Sequence, residues 1–280
     1  MQRNLKKLRD ALRPLYGERE TEAIIRLIFH HLKGWSLTDM LIHREDVLSD
    51  FISEEIDRII TRLQNFEPIQ YITREARFHG MDLIINPGVL IPRRETEELT
   101  DLIIKENEEK SDLNVLDICT GSGCIAITLS RNLKFPKITA IDNSEIAIDT
   151  ARKNVEKLKC KIKLIEQDIF ETDPEGEFDI IVSNPPYVDE SEAHTMEKNV
   201  LEFEPHEAIF VPNSNPLLFY KRITEIAKTH LSVKGKLYLE INPRHAGELM
   251  DLLKNNGFQH IEILNDSCGK KRFIICSFSE

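Results

Sequence analysis

The tetrapeptide Asn184-Pro185-Pro186-Tyr187 contains residue types that could bind and activate a planar –NH2 group. Two consecutive prolines fix the backbone and remove two N–H donors, so the segment presents a stiff set of acceptors. The Asn184 side-chain oxygen and the Pro185 carbonyl could together accept both hydrogens of the –NH2 group, while Tyr187 would form an aromatic wall. The spacing therefore predicts a site for a carboxamide or an aromatic amine.

The nitrogen of such a group is a poor nucleophile because its lone pair is delocalised. Two acceptors that favour a more tetrahedral nitrogen would expose the lone pair and stabilise the positive charge that develops during attack. Methyl transfer from a sulfonium cofactor fits this arrangement, because the cofactor brings its own activated methyl and the protein mainly positions the reactants. We expect Asn184, Pro185 and Tyr187 to be catalytic, with no metal ion and no covalent nucleophile. A proline-rich turn in a non-catalytic binding module is the alternative interpretation.

A glycine-containing turn, Asp117-Ile-Cys-Thr-Gly-Ser-Gly123, begins in the apolar run 114–118. Gly121 and Gly123 can adopt backbone angles that are closed to other residues and allow a ligand to approach the main chain. Asp142 ends the next apolar run, at a position where a carboxylate can accept hydrogen bonds from a ribose diol. The pattern predicts a binding site for a cofactor that contains ribose.

The identity of that cofactor stays open at this point, because residues 121–126 also fit the dinucleotide fingerprint that ends in alanine. An NAD-dependent dehydrogenase would additionally need a site that handles hydride. The nine histidines are scattered along the sequence, and no G-x-S-x-G nucleophile turn is present. The dehydrogenase is therefore the weaker alternative.

Apolar runs alternate with amphipathic segments from residue 93 onward. The predicted strands are 114–118, 138–142, 161–166, 178–183, 236–241 and 273–278. The predicted helices are 96–108, 125–131, 146–158, 217–229 and 247–255. This order indicates βαβ units and a mostly parallel sheet covered on both faces, which is a Rossmann-like α/β domain.

The first 65 residues show helical periodicity and predict a small all-α domain. Alternating residues around His79-Gly80 and again around Asn86-Pro87-Gly88 predict a β-hairpin linker over 66–92. The predicted organisation is a helical domain over 1–65, the linker, and a catalytic domain over 93–280.

Charge and hydropathy exclude several classes of protein. The chain has 280 residues, 41% of them hydrophobic, and a net charge of −11, and residues 71–280 carry 26 Lys and Arg against 36 Asp and Glu. An acidic catalytic half argues against direct binding to nucleic acid, which needs cations to displace counterions. No apolar stretch of about 18 residues and no signal-like segment occurs, so we expect a cytoplasmic protein without membrane contact. Five cysteines with no C-x-x-C pair indicate free thiols, and we expect a monomer.

Further segments match a known family when they are read together with the glycine turn, Asp142 and the tetrapeptide. They are Pro68-Ile-Gln-Tyr-Ile72, Val89-Leu-Ile-Pro-Arg-Arg-Glu-Thr-Glu97, Phe203-Glu-Pro205 and Asp266-Ser-Cys-Gly-Lys-Lys-Arg272. From about residue 66 to its end the chain resembles the PrmC/HemK family of release factor glutamine methyltransferases. The helical N-terminal region agrees with that family in kind only.

The resemblance implies a class I methyltransferase fold with S-adenosyl-L-methionine as cofactor and S-adenosyl-L-homocysteine as product. It implies methylation of the side-chain nitrogen, N5, of the glutamine in the Gly-Gly-Gln motif of class 1 peptide-chain release factors, with the N-terminal helices helping to dock the release factor. The implied substrate contacts are Asn184, Pro185, Pro186 and Tyr187. The implied cofactor contacts are Asp117, Cys119, Thr120, Gly121, Ser122, Gly123, Asp142, Asp168, Ile169 and Asn184. An N6-adenine methyltransferase would share the tetrapeptide but needs a basic recognition surface, and it is the second enzymatic alternative.

Several positions depart from the family pattern without removing a reacting group. Cys119 stands where glycine is usual, and we expect a negative φ there because a β-carbon disfavours the left-handed region. Arg94 replaces a proline, Thr73-Arg74 replaces a glycine-containing pair, and Asn242-Pro243-Arg244 replaces a glycine-containing segment. Arg93 and Arg94 could anchor the following helix or reach the substrate, and both interpretations stay open here.

Overall fold

The computed structural model describes residues 1–278. Contacts within the chain divide it into two compact units. The first unit comprises Met1–Glu75 together with Glu197–Phe203, and the second comprises Ala76–Met196 together with the chain from Glu204 onward. Within the described residues, no helix is both long enough and apolar enough to cross a membrane.

The first unit begins with four helices: α1 (Gln2–Lys33), α2 (Leu37–Ile42), α3 (Asp50–Gln64) and α4 (Ile69–Thr73). Ser36 and Ser49 precede α2 and α3, and each side chain accepts a hydrogen bond from a backbone N–H of the first turn. α1 is interrupted at Gly17, whose φ of 71° and ψ of 175° are not helical. Apolar residues from both halves of α1 pack with α3 in a separate core: Leu5, Leu8, Leu12, Ile25, Ile28, Phe29, Ile56, Ile60 and Leu63.

The remaining elements follow in chain order. The strands are β1 (Glu75–Phe78), β2 (Met81–Ile84), β3 (Asn114–Ile118), β4 (Lys137–Asp142), β5 (Ile162–Glu166), β6 (Phe178–Ser183), β7 (Val188–Asp189), β8 (Phe210–Val211), β9 (Leu231–Glu240), β10 (Glu262–Asn265) and β11 (Lys271–Cys276). The helices are α5 (Arg94–Glu106), α6 (Cys124–Asn132), α7 (Glu145–Leu158), α8 (Lys198–Phe203), α9 (Leu218–His230) and α10 (Ala246–Asn255).

A seven-stranded sheet in the order β10-β11-β9-β6-β3-β4-β5 forms the centre of the second unit. Strands β9, β6, β3, β4 and β5 are parallel, while β11 pairs antiparallel with both β9 and β10. One apolar core includes residues of α9 and α10, and the other includes residues of α5 and α6. The predicted Rossmann-like fold with a mostly parallel sheet is confirmed.

The position of β3 explains where a ligand can bind. β3 pairs with β4 on one side and with β6 on the other, so that Asp117 lies opposite both Ala140 and Val182. The chain leaves β3 toward β4 and later returns to the opposite side as β6. Such a switch point opens a crevice at the carboxyl ends of the strands. The glycine turn follows β3 and the tetrapeptide follows β6, so both lie at this edge.

The predicted hairpin is only partly correct. β1 and β2 pair around His79-Gly80, and both turn residues have positive φ. Residues Ile69–Thr73, which lie within the predicted β-hairpin linker over 66–92, instead form α4. The Thr73 hydroxyl donates to the Ile69 carbonyl at 2.9 Å within this helix. Three apolar or aromatic side chains in a short segment do not distinguish a buried helix from a strand.

Helix α8 belongs to the first unit although it lies between two segments of the second. The Lys198 ammonium lies 4.6 Å from the centre of the Phe66 ring, a cation–π contact within the first unit. Asn199 borders a small cavity together with Tyr16 and Phe66. The chain therefore enters the first unit a second time between residues 196 and 204.

Candidate active site

A cavity of about 170 Å³ lies at the carboxyl ends of β3, β4 and β6. Seven of the predicted site residues line it: Cys119, Thr120, Gly121, Ser122, Asp142, Asn184 and Pro186. Six others are outside its lining: Asp117, Gly123, Asp168, Ile169, Pro185 and Tyr187. Segments 88–93 and 205–208 form further walls that the motifs did not predict.

The glycine turn is held by backbone donors. The Gly121 N–H donates to Asp142 Oδ2 at 2.8 Å, and the Ser144 N–H donates to Asp142 Oδ1 at 3.0 Å. The Thr120 N–H donates to the Ile141 carbonyl at 3.0 Å, which ties the turn to β4. Burial raises the pKa of Asp142. Each carboxylate oxygen keeps a lone pair with which it can accept a hydrogen bond from a ligand hydroxyl.

Gly123 is required by packing as well as by conformation. Its φ is 80°, and a β-carbon there would lie 3.2 Å from Ala151 Cβ and 3.3 Å from Ile127 Cδ1. α6 begins at the next residue and α7 contains Ala151. A residue other than glycine would push these two helices apart or strain the turn.

Cys119 contradicts the expected backbone conformation, because its φ is +60° rather than negative. A non-glycine residue held in the left-handed region stores about 1–3 kcal/mol of strain. Burial, followed by the nearby charges of Asp142 and Asp117, raises the pKa of the Cys119 thiol. The thiol is therefore neutral at pH 7, and the nucleophilic thiolate does not form.

Asp117, near the end of β3, is fully buried beneath the turn. Its Oδ2 accepts hydrogen bonds from the Thr120 hydroxyl at 2.6 Å and from the Ala126 N–H at 3.2 Å. Its Oδ1 and the Ser122 hydroxyl have no hydrogen-bond partner among the described residues. Burial raises the pKa of Asp117 to about 7. Unpartnered buried polar atoms are unusual, and a bound ligand with polar groups would supply the missing partners.

The Asn184 amide has a defined orientation. Its Nδ2 donates to the Thr96 hydroxyl oxygen at 3.0 Å. The Thr96 hydroxyl in turn donates to Glu240 Oε2 at 2.7 Å, and the Tyr187 hydroxyl donates to Glu240 Oε1 at 2.9 Å. Asn184 Oδ1 accepts no hydrogen bond from any residue in 1–278, so it is the acceptor of the amide that a ligand could use.

Backbone contacts fix the downstream end of the tetrapeptide. The N–H groups of Tyr187 and Val188 both donate to the Ile209 carbonyl, at 3.2 and 2.9 Å. The Asn242 side chain donates to the Tyr187 carbonyl at 3.1 Å. Burial, together with the charge of Glu240, raises the pKa of Tyr187, so its hydroxyl keeps its proton. The tetrapeptide is therefore anchored on both sides of its two prolines.

Thr96 and Glu240 are the residues that the sequence reasoning missed at this site. In the sequence, Thr96 stands out only as part of the family segment 89–97. Glu240 is a carboxylate that follows the apolar run 237–239 and precedes Ile241, and it is 1% exposed. Charged residues are rarely buried without a specific partner. A carboxylate between these apolar residues is the available signal.

Arg93 borders the cavity and is held by a carboxylate that lies outside the following helix. Its guanidinium donates to Glu204 Oε1 at 2.6 Å, and the buried Glu204 also accepts a hydrogen bond from the Ile91 N–H at 3.1 Å. Arg93 thus anchors the walls of the cavity. Arg94 begins α5 and is exposed.

Asp168 and Ile169 follow β5, in a turn where the Phe170 N–H donates to Asp168 Oδ1 at 2.8 Å. Ile169 is buried in the core. Phe219 provides an aromatic wall of the cavity. Its ring packs edge-on against Phe170, with 5.2 Å between the ring centroids. No cluster of His, Cys, Asp and Glu within residues 1–278 is arranged to hold a metal ion.

Solved structures share the fold at low sequence identity. A methyltransferase from Pyrococcus furiosus is 20% identical with a TM-score of 0.55, and the match covers 80% of this chain and 99% of that one. The T. thermophilus 16S rRNA N2 G1207 methyltransferase, in complex with AdoMet and guanosine, is 18% identical with a TM-score of 0.52 over 72% of this chain and 49% of that one. These likenesses establish the class I methyltransferase fold.

Sequence comparisons identify the family. The model of the PrmC N-terminal domain matches residues 4–73, and the model of the methyltransferase small domain matches residues 81–203. The release factor glutamine methyltransferase of Bacteroides thetaiotaomicron is 44% identical, and the match covers 95% of this chain and 96% of that one. The protein of the same name from Flavobacterium psychrophilum is 42% identical, over 96% of this chain and 95% of that one. A relative of the same name from Streptococcus pneumoniae is 36% identical over 93% of each chain. The chain belongs to the family of release factor glutamine methyltransferases.

Proposed function

We propose that this protein transfers a methyl group from S-adenosyl-L-methionine to the side-chain nitrogen of the glutamine in the Gly-Gly-Gln motif of class 1 release factors. The observation that carries the proposal is the orientation of the Asn184 amide. Its Nδ2 donates to Thr96, which leaves Oδ1 to accept a hydrogen bond from the substrate. The names of relatives at 36–44% identity support the same substrate.

The glutamine carboxamide would be bound by Asn184 Oδ1 and the Pro185 carbonyl, one for each N–H. Both acceptors stabilise the positive charge that develops on nitrogen as the new N–C bond forms. When bound, the cofactor supplies an electrophilic methyl group on a sulfonium centre. The bonding electron pair leaves with the sulfonium sulfur as the neutral thioether, and the methylated nitrogen then loses one of its two original protons to water.

The residues present fit this cofactor. We propose that the turn from Cys119 to Gly123 contacts its methionine part, with Asp117 Oδ1 and the Ser122 hydroxyl as the polar atoms that lack partners. Asp142 would accept hydrogen bonds from the ribose hydroxyls. Asp168 and Ile169 are the proposed contacts of the adenine. The protein's part is therefore to orient two reactants and to exclude water from between them.

The proposed partner is a protein rather than free nucleic acid. The catalytic half is acidic, and a nucleic-acid enzyme would need cations to neutralise phosphates. We propose that the protein acts as a monomer in the cytoplasm, where release factors are found.

The experiment is incubation with isotopically labelled cofactor and a purified class 1 release factor, followed by peptide mass spectrometry. We expect one methyl group on the glutamine of the Gly-Gly-Gln motif. A release factor with glutamate in place of that glutamine is the control and should remain unlabelled. Labelling of another residue, or of the control, would show that the substrate assignment is wrong.

A further inference from the structure

The hydrogen-bond chain Asn184–Thr96–Glu240–Tyr187 joins three separate elements: the start of α5, the end of β9 and the loop after β6. We propose that Thr96 and Glu240 are positioning residues for methyl transfer, which set the direction of this chain so that Asn184 presents an oxygen, and not its –NH2 group, to the substrate. The inference rests on the proposed function and names two residues that this function requires.

The orientation of the Asn184 amide decides whether it can work. A rotation of the amide by 180° exchanges Oδ1 and Nδ2 with almost no change in shape. In the wrong orientation the Asn184 –NH2 group would face the substrate –NH2 group, and two donors would oppose each other. A residue outside the tetrapeptide must therefore distinguish the two ends of the amide.

The Thr96 hydroxyl makes that distinction only because of its second partner. A hydroxyl has one hydrogen and can also accept. An ionised carboxylate can only accept, so the Thr96 hydrogen points to Glu240 Oε2, at 2.7 Å. The lone pairs that remain on Thr96 accept from a donor, and Asn184 Nδ2 is that donor, at 3.0 Å. Acceptance by both oxygens of Glu240 thus sets the direction of the hydrogen bonds in the chain.

The other oxygen of the same carboxylate accepts from the Tyr187 hydroxyl at 2.9 Å. One side chain on β9 therefore holds both ends of the tetrapeptide. Burial raises the pKa of Glu240, whereas the donors Thr96 and Tyr187 and the charge of Arg272 favour its ionised form.

Water cannot easily replace these contacts. Thr96 is 2% exposed and Glu240 is 1% exposed. Buried polar chains of this kind hold a defined orientation because an unpaired polar group is costly in a low-dielectric interior. Removal of the Thr96 hydroxyl would leave Asn184 Nδ2 free to rotate toward the cavity.

The test compares Thr96→Val with Thr96→Ser in the full-length protein, with a release factor as substrate. Valine keeps the shape and removes the hydroxyl, and we expect kcat to fall by about 10-fold or more while cofactor affinity changes by less than about 3-fold. Serine keeps the hydroxyl and should restore most of the turnover. Thr100→Val, the same change one turn later on α5 where the buried hydroxyl donates to the Glu97 carbonyl, should leave kcat unchanged.

A double-mutant comparison separates positioning from a general structural effect. In an Asn184→Ala background the Thr96→Val change should cause no further loss of kcat, because the amide that Thr96 orients is gone. A second loss of the same size would show that Thr96 acts only on the fold.

Glu240→Gln gives an independent test should Thr96→Val fail to fold. Glutamine has the same size as glutamate, but its –NH2 group is a hydrogen-bond donor. The Thr96 hydroxyl can then accept from residue 240 instead of donating to it. We therefore expect kcat to fall while cofactor affinity is retained. Wild-type turnover in either variant, alongside an inactive Asn184→Ala variant, would overturn this inference and leave the proposed function intact. Failure of the wild-type protein to methylate a release factor would instead overturn the proposed function.

Discussion

The glycine turn and the tetrapeptide are both motifs that follow a buried strand, but they are held in place by different means. In the turn, Asp117 contacts a residue 3 positions away, and Gly121 contacts one 21 positions away. In the tetrapeptide, Asn184 and Tyr187 depend on partners 88 and 53 positions away. The cofactor half of the site is thus encoded locally, while the substrate half depends on the assembled fold.

The largest expected effect is on the tetrapeptide. Asn184→Ala should lower kcat by about 100-fold or more, because one of the two acceptors that stabilise the developing charge is lost. Cofactor affinity, measured by calorimetry, should change little, since the turn does not depend on Asn184. Equal losses in both quantities would show that the two halves of the site are not separable.

Asp142→Ala tests the cofactor half of the site. Loss of the carboxylate removes the acceptor of the Gly121 N–H and the proposed ribose contact. Charged hydrogen bonds contribute about 1.5–3 kcal/mol, so the Kd for the cofactor should rise by about 10- to 100-fold. Asp142→Asn keeps an acceptor and should cause a smaller loss. Unchanged affinity in the alanine variant would mean that the ribose is bound elsewhere.

Tyr187→Phe probes the more distant end of the tetrapeptide. The ring stays and one donor to Glu240 is removed. A hydrogen bond to a carboxylate contributes about 1.5–3 kcal/mol, but Tyr187 acts on the Asn184 amide only through Glu240 and Thr96, so we expect kcat to fall by about 3- to 10-fold with cofactor affinity retained. The phenylalanine variant should keep its Tm within a few degrees. A loss of cofactor affinity with normal kcat would contradict the division of roles.

The last expected effect is on stability rather than on turnover or affinity, and it is a pH dependence that arises at Asp117. Burial raises the pKa of Asp117 from 3.8 to about 7, so the unfolded chain releases this proton at lower pH than the folded one. Between these values the unfolded state binds fewer protons, and this residue's contribution to stability should therefore decline as pH rises and level off above about 7.

Denaturant unfolding of the cofactor-free protein across that range measures the effect. Asp117→Asn cannot ionise, so the difference in unfolding free energy between the two proteins should grow in favour of the variant as pH rises. A constant difference would show that the Asp117 carboxyl titrates alike in both states.

The sequence predicted the parallel strands β3 to β6 well because each of them is rich in apolar residues. β3 and β6 have the expected bounds, and β4 and β5 differ by one residue at one end. β9 begins at Leu231 rather than 236, in a stretch with Lys234 and Gly235 where the pairing with β6 shifts register. The short strands β7, β8 and β10 were missed because two to four residues carry too weak a pattern.

Sequence patterns predicted some residues of the site and not others. Motif spacing found the turn, Asp142 and the tetrapeptide, since each follows a recognisable strand. It could not find the contact of Thr96 with Glu240, because these residues are 144 positions apart and only the fold brings them together. Motif spacing also could not predict the left-handed backbone conformation of Cys119. Cysteine rarely adopts positive φ, so the residue type does not indicate this conformation.

The second entry of the chain into the helical unit, through Lys198–Phe203, affects how that unit can be studied. A truncation that begins at Ala76 would delete Phe66 but keep the short helix whose Lys198 contacts it. The orphaned helix lies directly before Glu204, the partner of Arg93 at the cavity wall. Lost turnover in such a deletion would therefore not by itself measure release-factor docking.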